Sequence, residues 1–155
     1  MSGATELRGP SRRAVLAGGA GLVGLALVRP ARATPAAMEA AIQAFTGGAA
    51  CGSDGITLDV PPLVENGNAV PLSIRVDSAM QGDDRVTAVA VFNEKNPLPD
   101  VATFRFSALS GAAKVSTRIR LGDSQTIAAV AAMADGTFRL ARAELVVTLP
   151  ACVEN

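Results

Sequence analysis

The sequence predicts an all-β protein, an immunoglobulin-like β-sandwich of about seven strands with a short helix before it and a cysteine-bearing arm after it. Two observations carry this prediction. Between Ile56 and Leu149 the chain is a series of short β-branched stretches, broken by turn residues such as Asn66-Gly67, Gly82-Asp83-Asp84, Ser110-Gly111, Gly122-Asp123 and Asp135-Gly136. Within several stretches apolar and polar residues alternate with period two, as a strand with one wet face requires.

Residues 1–33 predict a leader outside that fold. Arg12-Arg13 follow Ser11, a mildly hydrophobic run extends from Ala14 to Val28, and Ala31-Arg32-Ala33 forms an A-x-A cleavage signal. The run falls short of the roughly 20 apolar residues of a spanning helix. Twin arginines, low hydrophobicity and the extra charge of Arg29 and Arg32 favour the twin-arginine export route, hence the periplasm. An uncleaved anchor is the alternative. Cleavage leaves a domain at 34–149 and an arm at 150–155, with no membrane attachment.

From Thr34 the elements follow in order. Thr34 is a candidate N-cap with Pro35 at N1, and Met38, Ile42 and Phe45 fall at i, i+4 and i+7 before Gly47-Gly48, so a short amphipathic helix is expected. The strands are expected at Ile56–Val60, Ala69–Asp77, Arg85–Asn93, Val101–Leu109, Ala112–Leu121, Gln125–Met133 and Thr137–Leu149. Leu72, Ile74 and Val76 alternate with Ser73, Arg75 and Asp77, and Val115, Thr117, Ile119 and Leu121 with Lys114, Ser116, Arg118 and Arg120. Arg85–Asn93 is apolar on both sides, which predicts a central strand or one covered by a partner. Five phenylalanines are the only aromatic residues. The core therefore rests on aliphatic side chains, and so thin a core also invites a partner subunit.

Composition excludes much chemistry. Five of the fourteen basic residues but only one of the fourteen acidic ones precede Thr34, leaving nine against thirteen and a net charge of −4. That balance does not suit phosphate neutralisation on nucleic acid or an anionic membrane surface. There is no histidine, so Ser-His-Asp and Cys-His nucleophiles, His-ligated metals and C-x-x-C-H haem are excluded within this subunit. No cofactor motif is present and no catalytic residue is assigned. A folded complex with another protein is then the better reason for a route that carries folded cargo.

The tail carries the remaining signal. Pro150 cannot donate to a sheet, so Pro150, Ala151, Cys152, Val153 and Glu154 form a short arm whose thiol can enter another protein's pocket, accept a group covalently and leave with it. Cys51, in "GGAACGSDG", is a potential disulfide partner. In a sandwich of this type, however, the start of the first strand and the end of the last lie at opposite poles, beyond the Cα separation of about 4.4–6.8 Å that a disulfide needs. A copper-holding thiol aided by Met80 or Met133 is a weaker possibility.

Three stretches, "VPPLVENGNAVPLSIRVDSAM", "VFNEKNPLPDVATFRFSALSG" and "VSTRIRLGDSQTIAAVAAMADGTF", resemble the sulfur-oxidation carrier protein family SoxY, over about Ile56 to Thr148. The resemblance implies an immunoglobulin-like sandwich, a heterodimer with a SoxZ-like subunit exported with it, and a sulfur intermediate held on a C-terminal arm cysteine, a position that only Cys152 matches. It also implies contact with periplasmic sulfur-processing enzymes or another oxidoreductase. The arm departs from the family's Gly-Gly-Cys-Gly-Gly pattern and is closer to a SoxY-related group with an Ala-Ala-Cys-Ile-Glu arm. Val153 stiffens and widens the chain after the thiol, and Glu154 with the terminal carboxylate disfavours an anionic adduct. The carrier logic thus transfers better than the substrate does. The alternative reading is a binding or adaptor module for a periplasmic oxidoreductase, with no covalent cargo.

Overall fold

The structure, a computed structural model, describes residues 33–152. Residues 1–32 of the predicted leader, with Arg12 and Arg13, and the arm residues Val153 and Glu154 lie outside the described residues. Helix α1 spans Pro35–Thr46. Thr34 Oγ1 accepts from the Ala37 N–H at 3.1 Å, an N-cap worth about 1 kcal/mol. Gly47, in the left-handed conformation at φ 64°, stops the helix. Among the described residues no helix is long and apolar enough to cross a membrane.

Nine strands follow: β1 Cys51–Gly52, β2 Ile56–Asp59, β3 Leu63–Val64, β4 Val70–Val76, β5 Val86–Asn93, β6 Asp100–Arg105, β7 Ala113–Ile119, β8 Gln125–Met133 and β9 Phe138–Val147. All seven expected strands are present. The additional two, β1 and β3, have only two residues each, too few for alternation to show. Both run parallel to β9, with Cys51 in register with Phe138 and Leu63 with Val146. One sheet has the order β1-β9-β8-β5-β6, with β3 also pairing with β9, and the other the order β2-β4-β7.

The core lies between the two sheets. Leu72, Ile74 and Val76 of β4 and Val115 and Ile119 of β7 meet Val89 and Val91 of β5, Ile127, Ala129 and Ala131 of β8, and Leu145 and Val147 of β9. The opposite face of the small sheet is wet, as the alternation predicts, and Ser73 and Ser116 there hydrogen bond through their hydroxyls at 3.0 Å. A second cluster explains why β5 is apolar on both sides. Ala90 and Phe92 of β5, with Ala128 and Val130 of β8, pack against Met38 and Ile42 of α1. Phe45 meets the rings of Phe92 and Phe138 edge-on at 6.0 and 6.1 Å. β5 is central, and the chain's own helix covers its outer face. Of the two alternatives that the sequence offers for this strand, the central position holds, and with α1 on its outer face the two-sided apolar pattern needs no partner subunit.

Candidate functional site

Cys152 sits where three backbone segments meet. Beyond β9 the chain stays tied to the segment around β3, since the Thr148 N–H donates to the Val64 carbonyl at 2.9 Å. The Gly67 N–H then donates to the Leu149 carbonyl at 2.8 Å, the Leu121 N–H to the Gly67 carbonyl at 2.9 Å, and the Ala151 N–H to the Leu121 carbonyl at 3.0 Å. These bonds satisfy backbone groups that burial would otherwise leave costly. Gly67 has no room for a side chain, because a Cβ there would collide with the Leu121 carbonyl oxygen and lie 2.8 Å from the Ala151 nitrogen. The sequence assigns Asn66-Gly67 to a tight reversal. Instead Asn66 Oδ1 accepts from the Asn68 N–H at 2.9 Å to cap a 3-10 turn over Gly67–Ala69, and the glycine is needed for close approach.

The predicted arm residues divide at this clasp. Ala151 is 4% exposed and hydrogen bonded. Its small side chain fits a buried seat, whereas the sequence places it on a short arm beyond the sandwich. Cys152, the next residue, is exposed and free. The thiol therefore projects directly from an anchored residue.

An open cleft of about 360 Å³ lies beside it, lined by Asn68, Asn96, Pro97, Arg120, Gly122, Ala151 and Cys152. Asn96 organises its wall. The Asn96 Nδ2 donates to the Arg120 carbonyl at 2.8 Å, and its Oδ1 accepts from the Gly122 N–H at 3.1 Å and from Gln125 Nε2 at 3.2 Å. The loop behind it is fixed by Asn93, 1% exposed, whose Nδ2 donates to the carbonyls of Leu98 and Pro99 at 2.9 and 3.2 Å. Lys95 Nζ pairs with Asp123 Oδ2 at 3.1 Å, and this hydrogen bond, with one from the Ser124 N–H, holds the Asp123 carboxyl below its ordinary value. Among the described residues Arg120 has no ion-pair partner.

Sequence reasoning singles out the turns Glu65-Asn66-Gly67-Asn68 and Glu94-Lys95-Asn96-Pro97 without a role beyond turn chemistry or partner contact. Both supply the cleft. It does not single out Arg120, which reads as one more wet-face residue of an alternating strand; the two Asn-bearing turns are the only visible signal.

Cys51 is at the other pole. It lies in register with the first residue of β9, while Cys152 lies beyond its last, and at about 3.3 Å per residue the ten-residue strand keeps them roughly 30 Å apart. Both are free. Burial pushes the Cys51 thiol up, with Arg142 acting weakly the other way. Met80 and Met133 are each 5% exposed in the sandwich core, which removes them as copper ligands beside the thiol. Among the described residues no three His, Cys, Asp or Glu side chains cluster as a metal site.

Residues 42–152 match the sequence model of the family described as sulfur oxidation protein SoxY. The chain belongs to the SoxY family. The match ends on Cys152 itself. Among solved structures, the sulfur carrier protein SoxY from Chlorobium limicola f thiosulfatophilum superposes with a TM-score of 0.60 at 24% identity, covering 75% of this chain and 100% of that one. The superoxide reductase (neelaredoxin) of Ignicoccus hospitalis superposes with a TM-score of 0.50 at 14% identity over 74% of this chain and 94% of that one. Both likenesses concern the fold. Among curated proteins no sequence matches this SoxY-family chain directly.

Proposed function

We propose that this SoxY-family chain is a non-catalytic sulfur carrier that holds a sulfur intermediate covalently on the Cys152 thiol. The observation that carries the reading is the placement of Cys152: an exposed thiol, at the end of the family match, one residue past a buried and hydrogen-bonded anchor. Such a thiol is presented at fixed geometry to whatever docks on that pole. Joining it to a sulfide-level sulfur removes two electrons, which a partner oxidoreductase must take. The twin-arginine leader supports a periplasmic location, where adducts outlast those in a reducing cytosol. A SoxZ-like subunit is the expected companion. Leu63, Val146 and Leu149, 59%, 54% and 67% exposed, supply apolar surface for a protein contact on the arm side.

The test is the intact mass of the processed protein taken from its native periplasm without reductant, repeated with dithiothreitol. A reductant-removable added mass mapped to Cys152 is expected, and its size names the cargo. Bare thiol throughout, with pathway activity intact in Cys152→Ser, would put the adaptor reading first.

A further inference from the structure

We propose that the cleft beside Cys152 is an intramolecular seat for an anionic, oxyanion-bearing group attached to that thiol, with Arg120 as the residue that selects its charge. This rests on the reading of Cys152 as an attachment point. Among the described residues the cleft lining contains one charged residue, Arg120, and no carboxylate. The nearby Lys95 and Asp123 neutralise each other, so the guanidinium sets the sign of the site. Its remaining lining supplies donors. Asn68 Nδ2 spends one N–H on Asn66 Oδ1 at 3.0 Å and Asn96 Nδ2 spends one on the Arg120 carbonyl, leaving each amide a second N–H. Guanidinium and amide N–H groups together match the oxygens of a sulfonate-type group.

The clasp adds the geometry. Because Ala151 is fixed and Cys152 follows it directly at the cleft wall, a group on Sγ reaches the lining without movement of the chain. Seating the adduct would shield its S–S bond from attack in transit, and an enzyme that unloads it must first draw it away from Arg120.

The test uses synthetic adducts, so it does not depend on which cargo the cell provides. In a Cys51→Ser background Cys152 is treated with 2-sulfonatoethyl methanethiosulfonate or with methyl methanethiosulfonate. In each case the thiolate attacks the sulfenyl sulfur, an S–S bond forms, the S–SO2 bond breaks and methanesulfinate leaves with the electron pair. Release by dithiothreitol, which is oxidised to its cyclic disulfide as Cys152 returns to the thiol, is then timed by mass. In Arg120→Gln the sulfonate adduct is expected to be released about fivefold faster, the size of one exposed charge-assisted contact, with the methylthio adduct no faster. A field effect alone predicts the opposite sign, because without the cation the incoming thiolate is attracted less and both releases slow. Unchanged or slower release of the sulfonate adduct, or equal acceleration of both adducts, overturns the seat while leaving the periplasmic mass measurement to judge the carrier reading.

Discussion

The two cysteines are held at opposite ends of one strand and given opposite fates. At the start of β9, Cys51 is half-buried in a two-residue parallel pairing and packs against the cluster formed by α1, Ala90 and Phe92. At the far end, Cys152 follows a buried alanine and stands in the open beside a cation-lined cleft. Residue type is the same; what differs is packing. A thiol pushed up by desolvation and packed on apolar side chains is less reactive, whereas one mounted on a fixed backbone and exposed is available to a partner.

The contrast can be broken most severely at the reactive end. Cys152→Ser is expected to abolish carrier-dependent sulfur turnover while Cys51→Ser leaves it intact, read as oxidation by a reconstituted sulfur-oxidising system; equal losses would mean that the two poles do not differ in role. Next in size, Phe92→Ala removes a side chain that is 2% exposed and the ring that Phe45 meets, at a cost of about 3–5 kcal/mol. It should open Cys51 to alkylation without changing Cys152, which denaturant unfolding and site-mapped labelling would show. Gly67→Ala acts on the other pole, since its Cβ cannot fit between Leu121 and Ala151. The expected cost is about 1–3 kcal/mol, with faster amide exchange at Ala151 and unchanged labelling of Cys51. The smallest effect belongs to the Lys95–Asp123 pair. Its carboxyl is depressed below 3.8, so its contribution is complete above that pH and is lost as the pH falls through the lower folded-state value. Asp123→Asn should therefore lower the melting temperature slightly at neutral pH and not at all in strong acid.

How much of this was legible in the sequence follows the length scale of each interaction. Helix α1 was legible to the residue, because Thr34, Pro35 and Gly47 act within one turn of their own positions. The seven longer strands were legible through alternation and turn residues. β1 and β3 were not, since each owes its pairing to β9, which lies more than eighty residues away, and two residues carry no period. The apolar doubling of β5 was visible and left two alternatives, a central strand or a covering partner, because only the packed fold shows α1 lying on Ala90 and Phe92. Cys152 was found through its position on the tail and through family resemblance. Its cleft was not, as Asn68, Asn96 and Arg120 come from three separate loops and strand ends, and nothing local to Arg120 separates it from Arg118.

β9 has a consequence for the order in which this protein comes into being. It touches β8, β1 and β3, and the ribosome makes it after all three. Two parallel pairings therefore wait on residues synthesised more than eighty positions later, and contacts of such long sequence separation form slowly. Gly67, Leu121 and the Ala151 clasp wait with them. Until β9 docks, there is no seat for the thiol, so a half-made or misfolded chain cannot present Cys152 in the geometry that its partners would meet.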